Sequence, residues 1–349
     1  MRVGGVTVGG AAPVIVQSMT NTTTADAAAT IEQVGRLAEA GAELVRVAVP
    51  TRQDTAALSR VVAAAAVPIV ADVHYHFDRA LEAIDAGAAK IRLNPGNLRD
   101  RDQVRQVIAA AADAGVAIRV GVNEGSVVER REGEQRRADL SRPLDLLMVE
   151  KMAEYLEVFE EAGFADLVLS AKSHDAYTTV AVNRLLAERW DYPLHLGVTH
   201  AGTPETGAIR SAAALGALLA EGIGDTIRIS YAGDPVAEVA AARELLWSLR
   251  LRRREGLDLI ACPTCGRAEM DVAALAEKVR EALADVKAPI TVAVMGCVVN
   301  GPGEAEGADV AVCAGKGKAV LYRRGERVGT VAAAEIVAAV VAEVRGLVE

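Results

Sequence analysis

The amino-acid sequence predicts an α/β protein, a (β/α)8 barrel of the TIM type followed by a small α+β domain. Three observations predict it. Ala-rich amphipathic stretches end repeatedly in Ala-Gly, short β-branched runs can be counted eight times, and the texture of the chain changes after a basic connector, Arg250-Leu251-Arg252-Arg253-Arg254-Glu255-Gly256. The connector divides the 349 residues into a barrel over 1–250 and a C-terminal domain over 257–349, lengths ordinary for those two kinds of unit.

The punctuation appears as Ala40-Gly41, Ala86-Gly87, Ala114-Gly115 and Ala162-Gly163, with Glu221-Gly222 a looser fifth. Glycine just past a helix can take the left-handed conformation that caps the last turn. The apolar run that follows each one reads as a buried parallel strand. Strands are expected at Val14–Met19, Leu44–Val49, Pro68–Val73, Lys90–Asn94, Ala117–Asn123, Asp166–Ser173, Leu194–His200 and Thr226–Ala232. Helical patterns separate most of them; in Asp26–Ala40, for example, Ile31, Val34, Leu37 and Ala38 share a face. Eight such units over about 245 residues match a closed barrel. An open doubly wound sheet is the alternative, and the count of eight favours closure.

Beyond the connector, Leu257-Asp258-Leu259-Ile260 reads as a strand leading into Ala261-Cys262-Pro263-Thr264-Cys265-Gly266. A helix is expected up to about Val286, then a strand Ile290–Met295 running into Gly296-Cys297-Val298-Val299-Asn300-Gly301-Pro302-Gly303-Glu304. A hairpin around Arg324-Gly325-Glu326 and a final apolar helix, Ala332–Val348, complete the domain.

Composition narrows the function classes. Hydrophobic residues make up 51% of the chain and aromatics only 3%, so Ala, Val, Leu and Ile must fill the core. A net charge of −9 argues against a general nucleic-acid or anionic-membrane binder, which needs a basic surface. Met1-Arg2-Val3-Gly4-Gly5 lacks the apolar run of a signal peptide, and no stretch has the length of a membrane span. A cytoplasmic protein is expected, in which four cysteines serve as ligands or reactive thiols rather than disulfides.

Barrel proteins build their sites at the C-terminal ends of the strands. Those positions hold Gln17, Arg46, Asp72, Arg92, Asn94, Arg119, Asn123, Lys172, Thr199, His200, Arg228 and Ser230. Any one cation among them could point outward and pair with a helix carboxylate. Five, from five strands of an acidic protein, point to an anionic and phosphorylated small substrate, because Arg offers forked donors and Lys a mobile charge.

The CxxC of Cys262 and Cys265 is by itself compatible with zinc, a redox pair or an iron–sulfur cluster. Cys297, on a Gly- and Pro-rich loop, favours the cluster, because such loops wrap a bulky group and offer backbone N–H donors. All five histidines (His74, His76, His174, His195, His200) lie in the barrel segment, which leaves no histidine nearby for zinc. A four-cysteine zinc site using Cys313 remains open. However, Asp309-Val310-Ala311-Val312-Cys313-Ala314 reads as a core strand, where a free cysteine is ordinary. Glu304 is then the better fourth ligand; oxygen suits cluster iron poorly and would leave one iron exchangeable.

These segments together resemble the 4-hydroxy-3-methylbut-2-enyl diphosphate synthases, reductive iron–sulfur enzymes of the non-mevalonate isoprenoid pathway. The resemblance runs nearly end to end. It rests on Val16-Gln17-Ser18-Met19-Thr20-Asn21-Thr22, Ala71-Asp72-Val73-His74, Ile91-Arg92-Leu93-Asn94-Pro95-Gly96-Asn97 and Arg119-Val120-Gly121-Val122-Asn123 with Gly125-Ser126. Ser170-Ala171-Lys172, Leu194-His195-Leu196-Gly197-Val198-Thr199 and Arg228-Ile229-Ser230 continue it, and the two cysteine segments above are its most specific part.

The resemblance implies a [4Fe–4S] cluster held by Cys262, Cys265, Cys297 and Glu304. It implies a diphosphate held by Arg92, Arg119, Lys172, Thr199, Arg228 and Ser230, with Asn123 and Asn300 near the reacting carbons. The substrate would be 2-C-methyl-D-erythritol 2,4-cyclodiphosphate, with two electrons delivered singly by a flavodoxin or ferredoxin. A head-to-tail homodimer of the bacterial two-domain type would follow, each cluster capping the partner's barrel. One position departs: relatives usually have Glu, thought to deliver a proton, where this chain has His200. Histidine can also serve as a general acid. His74, His174 and His195 are expected to be structural or supporting residues. The competing readings are a phosphate-binding barrel enzyme of the pteroate-synthase type with a structural zinc domain, and an electron-carrier or interaction module on an inert barrel.

Overall fold

In a computed structural model the described residues are 1–74, 76–93, 100–127 and 142–348. The chain divides into two compact units, Met1–Arg252 and Arg253–Glu349.

The first unit opens with a hairpin, β1 (Arg2–Val3) and β2 (Val6–Thr7), whose strands are too short to show a period. The barrel strands are β3 (Ile15–Met19), β4 (Leu44–Ala48), β5 (Ile69–Asp72), β6 (Lys90–Leu93), β7 (Ala117–Asn123), β8 (Leu167–Lys172), β9 (His195–Leu196) and β10 (Thr226–Ile227). All pair in parallel in the order β8-β7-β6-β5-β4-β3-β10-β9. A bridge between Leu169 and Leu194 joins the two ends, with the Leu169 N–H donating to Pro193 O at 2.8 Å. The sheet therefore closes, and the open doubly wound alternative is set aside.

Helices α1 (Ala27–Glu39), α2 (Arg52–Ala64), α3 (Phe77–Asp85), α4 (Arg101–Ala114), α5 (Leu144–Glu161), α6 (Ala176–Arg189), α7 (Pro204–Ala220) and α8 (Pro235–Ser248) alternate with the strands. Asp26 caps α1, its carboxylate accepting the Ala29 N–H at 3.1 Å. Thr51 and Asp54 form a reciprocal capping box on α2. Gly41, Gly87, Gly115, Gly163 and Gly222 all have positive φ, which is why each helix stops where the punctuation predicts.

Alternation along the strands sorts the side chains. Val45, Val47, Ile69, Ala71, Ile91, Leu93, Ile118 and Val120 point outward into one core with Val34, Leu37, Leu58 and Val61 of the helices. Leu44, Val70 and Ala117 fill the interior at the opposite end from the mouth, against Val3 and Val8 of the hairpin segment. Many of the remaining inward positions are polar, and they include the strand-end residues Gln17, Arg46, Asp72, Arg92, Arg119, Asn123 and Lys172.

Strands seven and eight correct the sequence reading. Runs of seven residues were expected at Leu194–His200 and Thr226–Ala232, but only two residues of each pair regularly. Gly197 explains part of this: a Cβ there would lie 2.6 Å from Lys172 Nζ and 2.8 Å from Arg228 O, so the chain passes functional groups too closely for a side chain. Single bonds carry the contacts onward, Arg228 N–H to Leu196 O at 2.9 Å and Thr199 N–H to Ser173 O at 3.0 Å. Asn94, the last residue of the expected fourth strand, and Asn94-Pro95-Gly96-Asn97 lie outside the described residues.

The second unit is a five-stranded sheet in the order β11 (Leu257–Ala261), β12 (Ile290–Met295), β13 (Val310–Gly315), β14 (Lys318–Arg323), β15 (Glu326–Ala332). The first three are parallel and the last two antiparallel. Helix α9 (Val272–Ala282) ends before the expected Val286, and α11 covers Ile336–Val348. Ala332, expected to begin that helix, instead ends β15 opposite Lys318. One sheet face packs Val292, Val294, Val310 and Val312 against α9 and α11. The other buries Ala293, Met295, Ala311 and Cys313 with Ala305 and Ala308, beside the short helix α10 (Gly301–Glu304).

Candidate active site

All five strand-end cations converge. Arg46, Arg92, Arg119, Lys172 and Arg228 line one cavity of about 210 Å³, together with Asp72, His74, Asn123, Ser170, Val198, Thr199 and Ser230. Each arrives from its own strand or from the segment just past it: Arg46 on β4, Arg92 on β6, Arg119 on β7, Lys172 on β8 and Arg228 after β10.

The walls hold these cations in place without neutralising them. Asp72 is the one carboxylate in the described lining. Its Oδ1 lies 3.2 Å from Arg92 Nη1 and 3.4 Å from His74 Nε2, and its Oδ2 lies 3.6 Å from Arg46 Nε. Burial pushes the Asp72 carboxyl up, but Arg46, the His74 hydrogen bond and Arg92 outweigh it and hold the group well below the usual carboxylate range. Arg46 donates to Met19 Sδ from Nε at 3.1 Å and Nη2 at 2.8 Å, and Arg228 Nη1 reaches the same sulfur at 3.4 Å. Glu238 takes Arg228 Nη2 at 3.3 Å and the Tyr231 N–H at 3.0 Å.

Hydrogen-bonding capacity is left over. Among the described residues, Arg92 Nε, Arg119 Nε and Nη1, and Arg228 Nε are buried without a partner. Burial, then the cations Arg119, Arg46, Arg228 and Arg92, push the Lys172 amine well below its ordinary value. Lys172 Nζ rests 3.1 Å from His195 Nε2, whose Nδ1 is 2.8 Å from Thr226 Oγ1. Burial, followed by Lys172 and Arg119, likewise depresses His195, so the ring is neutral and can accept from Lys172. Buried, unpaired cations are costly unless a ligand supplies the countercharge. The arrangement is therefore built for a compact anion.

Other expected residues fall in different places. Asn123, Thr199 and Ser230 line the cavity, and Ser230 Oγ donates to Val198 O at 3.1 Å. His200 follows Thr199 but is exposed, has a left-handed φ of 52°, and is not among the described lining residues. His74, read from sequence as supporting, is in the lining. His174 is half-exposed, its Nδ1 2.8 Å from Glu124 Oε1, while Ser173 Oγ donates to Glu124 Oε2 at 2.5 Å. The spacing that would have flagged His74 is its position two residues past Asp72 on the same strand end.

The cysteines of the second unit lie at the C-terminal ends of neighbouring parallel strands, Cys262 past β11 and Cys297 past β12. All four cysteines are free. Cys262 Sγ accepts the Gly296 N–H at 3.1 Å. Backbone N–H groups of Asn300, Val299 and Gly301 bond the Cys297 sulfur and lower its thiol from the ordinary value. Cys265 and Glu304 are exposed, and Asn300 caps α10. Among the described residues, no three His, Cys, Asp or Glu side chains are gathered as a metal site. Cys313 is buried in β13, as the core-strand pattern predicts, and burial pushes its thiol up to about 11.

Fold and site define a TIM-barrel protein with a cation-lined pocket, continued in sequence by a unit that carries three free cysteines on two strand-end loops. The family follows from comparison. Residues 1–243 match the GcpE TIM-barrel domain and residues 258–346 the GcpE protein C-terminal domain, and the chain belongs to the GcpE family. A relative from Geobacter sulfurreducens, named 4-hydroxy-3-methylbut-2-en-1-yl diphosphate synthase (flavodoxin), is 47% identical over 99% of this chain and 96% of its own. One of the same name from Salinispora tropica is 47% identical over 100% of this chain and 88% of its own. Among solved structures, the spore coat polysaccharide biosynthesis protein spsE of Bacillus subtilis superposes with a TM-score of 0.51 at 10% identity, over 72% of this chain and 73% of that one. That likeness concerns the fold alone.

Proposed function

We propose that the chain is a 4-hydroxy-3-methylbut-2-en-1-yl diphosphate synthase. It reductively opens 2-C-methyl-D-erythritol 2,4-cyclodiphosphate to the linear allylic diphosphate, with loss of a hydroxyl as water and consumption of two electrons. The carrying observation is the convergence of five cations from five strands on one cavity, three of them buried, in a chain whose relatives bear that name. The pteroate-synthase and inert-barrel alternatives give way, because both halves of the chain match the one family.

The barrel's part is binding and orientation. Arg92, Arg119, Lys172 and Arg228 take the diphosphate oxygens, and Thr199 and Ser230 add hydroxyl donors. Arg119 lines the cavity, and among the described residues its buried Nε and Nη1 have no hydrogen-bond partner, so the diphosphate supplies a countercharge that the walls lack. Fixing the diphosphate leaves the carbon skeleton in a defined place, next to Asn123. His200, with Asn300 and Glu304, is assigned to handling protons at the departing oxygen.

Cys262, Cys265, Cys297 and Glu304 would hold a [4Fe–4S] cluster. The donor set fits: the thiols are free, Cys262 Sγ accepts the Gly296 N–H, and the backbone at Asn300, Val299 and Gly301 favours the Cys297 thiolate, as suits cluster sulfurs. When bound, the cluster supplies electrons one at a time and an iron able to accept oxygen. Flavodoxin is the proposed donor, with ferredoxin the other candidate, and the protein is proposed to be a cytoplasmic homodimer in which each cysteine unit serves the partner's barrel. Among the described residues no helix is long and apolar enough to cross a membrane.

The test is anaerobic turnover of the reconstituted protein with a strong reductant and the cyclic diphosphate, followed by phosphorus NMR. Appearance of the linear diphosphate is the expected result. Persistence of the cyclic resonance in protein with full iron and sulfide content would overturn the assignment.

A further inference from the structure

One charged group of the barrel interior has no place in the binding scheme above. Lys90 opens β6, two residues before Arg92, and so points to the same interior side one layer lower. Its register neighbours are Val70 on β5 and Ala117 on β7, both in the apolar plug against Val3 and Val8. The side chain is 0% exposed, and among the described residues Nζ has no hydrogen-bond partner. The register partners of Arg92 one layer higher are Asp72 and Arg119, both in the cavity lining. A lysine in that position serves no surface and, among the described residues, pairs with no carboxylate.

We infer that Lys90 is a further positioning residue of the anion site, a buried amine beneath the arginine layer that takes up a proton from solvent when that layer receives a polyphosphate. The inference rests on the reading of the mouth as an anion site. Its physics is a matter of charge count. The charged and titratable groups around Lys90 are Arg119 on β7, Arg46 on β4, His195 on β9, Arg92 on its own strand and, one layer above Val70 on β5, the carboxylate Asp72, while Val70 and the hairpin face it with apolar side chains. With the mouth empty, a further positive charge beneath that layer is unfavourable; burial first, then Arg119 and Arg46, bring Lys90 down to about 7. A bound diphosphate offsets most of that positive field and makes the ammonium less costly. Neutral Lys90 spares the empty barrel one charge, and protonated Lys90 holds Arg119 up against the ligand by repulsion from below.

The experiment is calorimetric titration of the full-length protein with inorganic pyrophosphate at pH 8, in two buffers of different ionisation enthalpy. The difference between them counts the protons taken up. Pyrophosphate, Lys172 and His195 also titrate, so the reading is the difference between the parent and Lys90→Met. K90M is expected to take up fewer protons, by roughly 0.5 to 1, and to show a flatter dependence of affinity on pH between 7 and 9. Equal uptake in the two proteins would overturn the inference while leaving the anion site intact. Failure of the parent to bind pyrophosphate would overturn the anion-site reading, and this inference with it. Should K90M not fold, lysine-selective NMR of the parent, assigned with Lys90→Arg, gives the second measurement. An amine titrating near neutrality that moves up with pyrophosphate supports the inference, and one already titrating at about 10.4 without ligand overturns it.

Discussion

The barrel mouth and the cysteine unit place their functional groups under opposite conditions. At the mouth, Arg92, Arg119, Lys172 and Asp72 are buried, with Arg46 and Arg228 partly so, at barrel strand ends, and among the described residues several N–H groups await a partner. In the second unit, Cys265 and Glu304 are exposed, Cys262 and Cys297 half-buried, and among the described residues no three candidate ligands are gathered. The mouth is organised before its ligand arrives and carries the desolvation cost in the empty state. The proposed cluster would organise the cysteine loops on binding, because metal binding and ordering are one free-energy change. Substrate recognition and redox chemistry should accordingly fail independently.

The largest expected effect follows from that independence. Cys297→Ser removes a proposed cluster ligand and should lower turnover roughly 10³-fold or more, as loss of an essential member of a catalytic unit does. Iron and sulfide content should fall with it, whereas pyrophosphate affinity should stay within about twofold. Loss of pyrophosphate binding in C297S would show that the two regions are not separable.

The converse change lies in the mouth. Arg119 is 1% exposed, and burial, followed by the neighbouring Arg46 and Arg92, depresses it well below its ordinary value. Arg119→Met should lower kcat/KM by about 10- to 100-fold, the range for one or two charge-assisted hydrogen bonds. Iron content should not change. Removing a desolvated, unpaired cation also relieves the empty barrel, so the unfolding midpoint of R119M should equal or exceed that of the parent. A lowered midpoint with unchanged kcat/KM would make Arg119 a structural residue.

The same contrast governs how much could be read in the sequence. Strands β3 to β8 and the glycines that end their helices were legible, because alternation and the left-handed cap leave marks in the order of residues. The five cations were legible for the related reason that closure of a parallel barrel brings every strand end to one mouth. Strands β9 and β10 came out much shorter than expected. There the apolar composition continues, but Gly197 lies against Lys172 and Arg228 and regular pairing gives out. The hairpin β1–β2 has two residues per strand, too few for any period. Lys90 was missed because a lysine beginning an apolar run looks like a solvated strand end; alternation with Arg92 turns it inward, and the hairpin segment caps the plug around it. In the second unit the cysteine spacing marks candidate ligands, but spacing within Gly- and Pro-rich loops does not fix where side chains point.

Asp72 tests whether the mouth is electrostatically organised at all. Its carboxyl lies 3.2 Å from Arg92 Nη1 and 3.6 Å from Arg46 Nε, and these cations, with His74, hold it well below its unfolded value of about 3.9. A carboxyl depressed in the folded state stabilises the fold fully above the unfolded value, and that contribution is lost as pH falls toward the folded one. Asp72→Asn keeps the shape and removes the charge, leaving Arg46 and Arg92 buried without it. Denaturant unfolding at pH 7 should show a loss of about 3 kcal/mol, the lower end for breaking a buried pair. The gap between parent and D72N should hold from pH 7 to about pH 4, then close by about 1.4 kcal/mol per pH unit below that. A gap independent of pH down to pH 2 would mean that shape rather than charge holds the cations. The two regions would then differ only in burial.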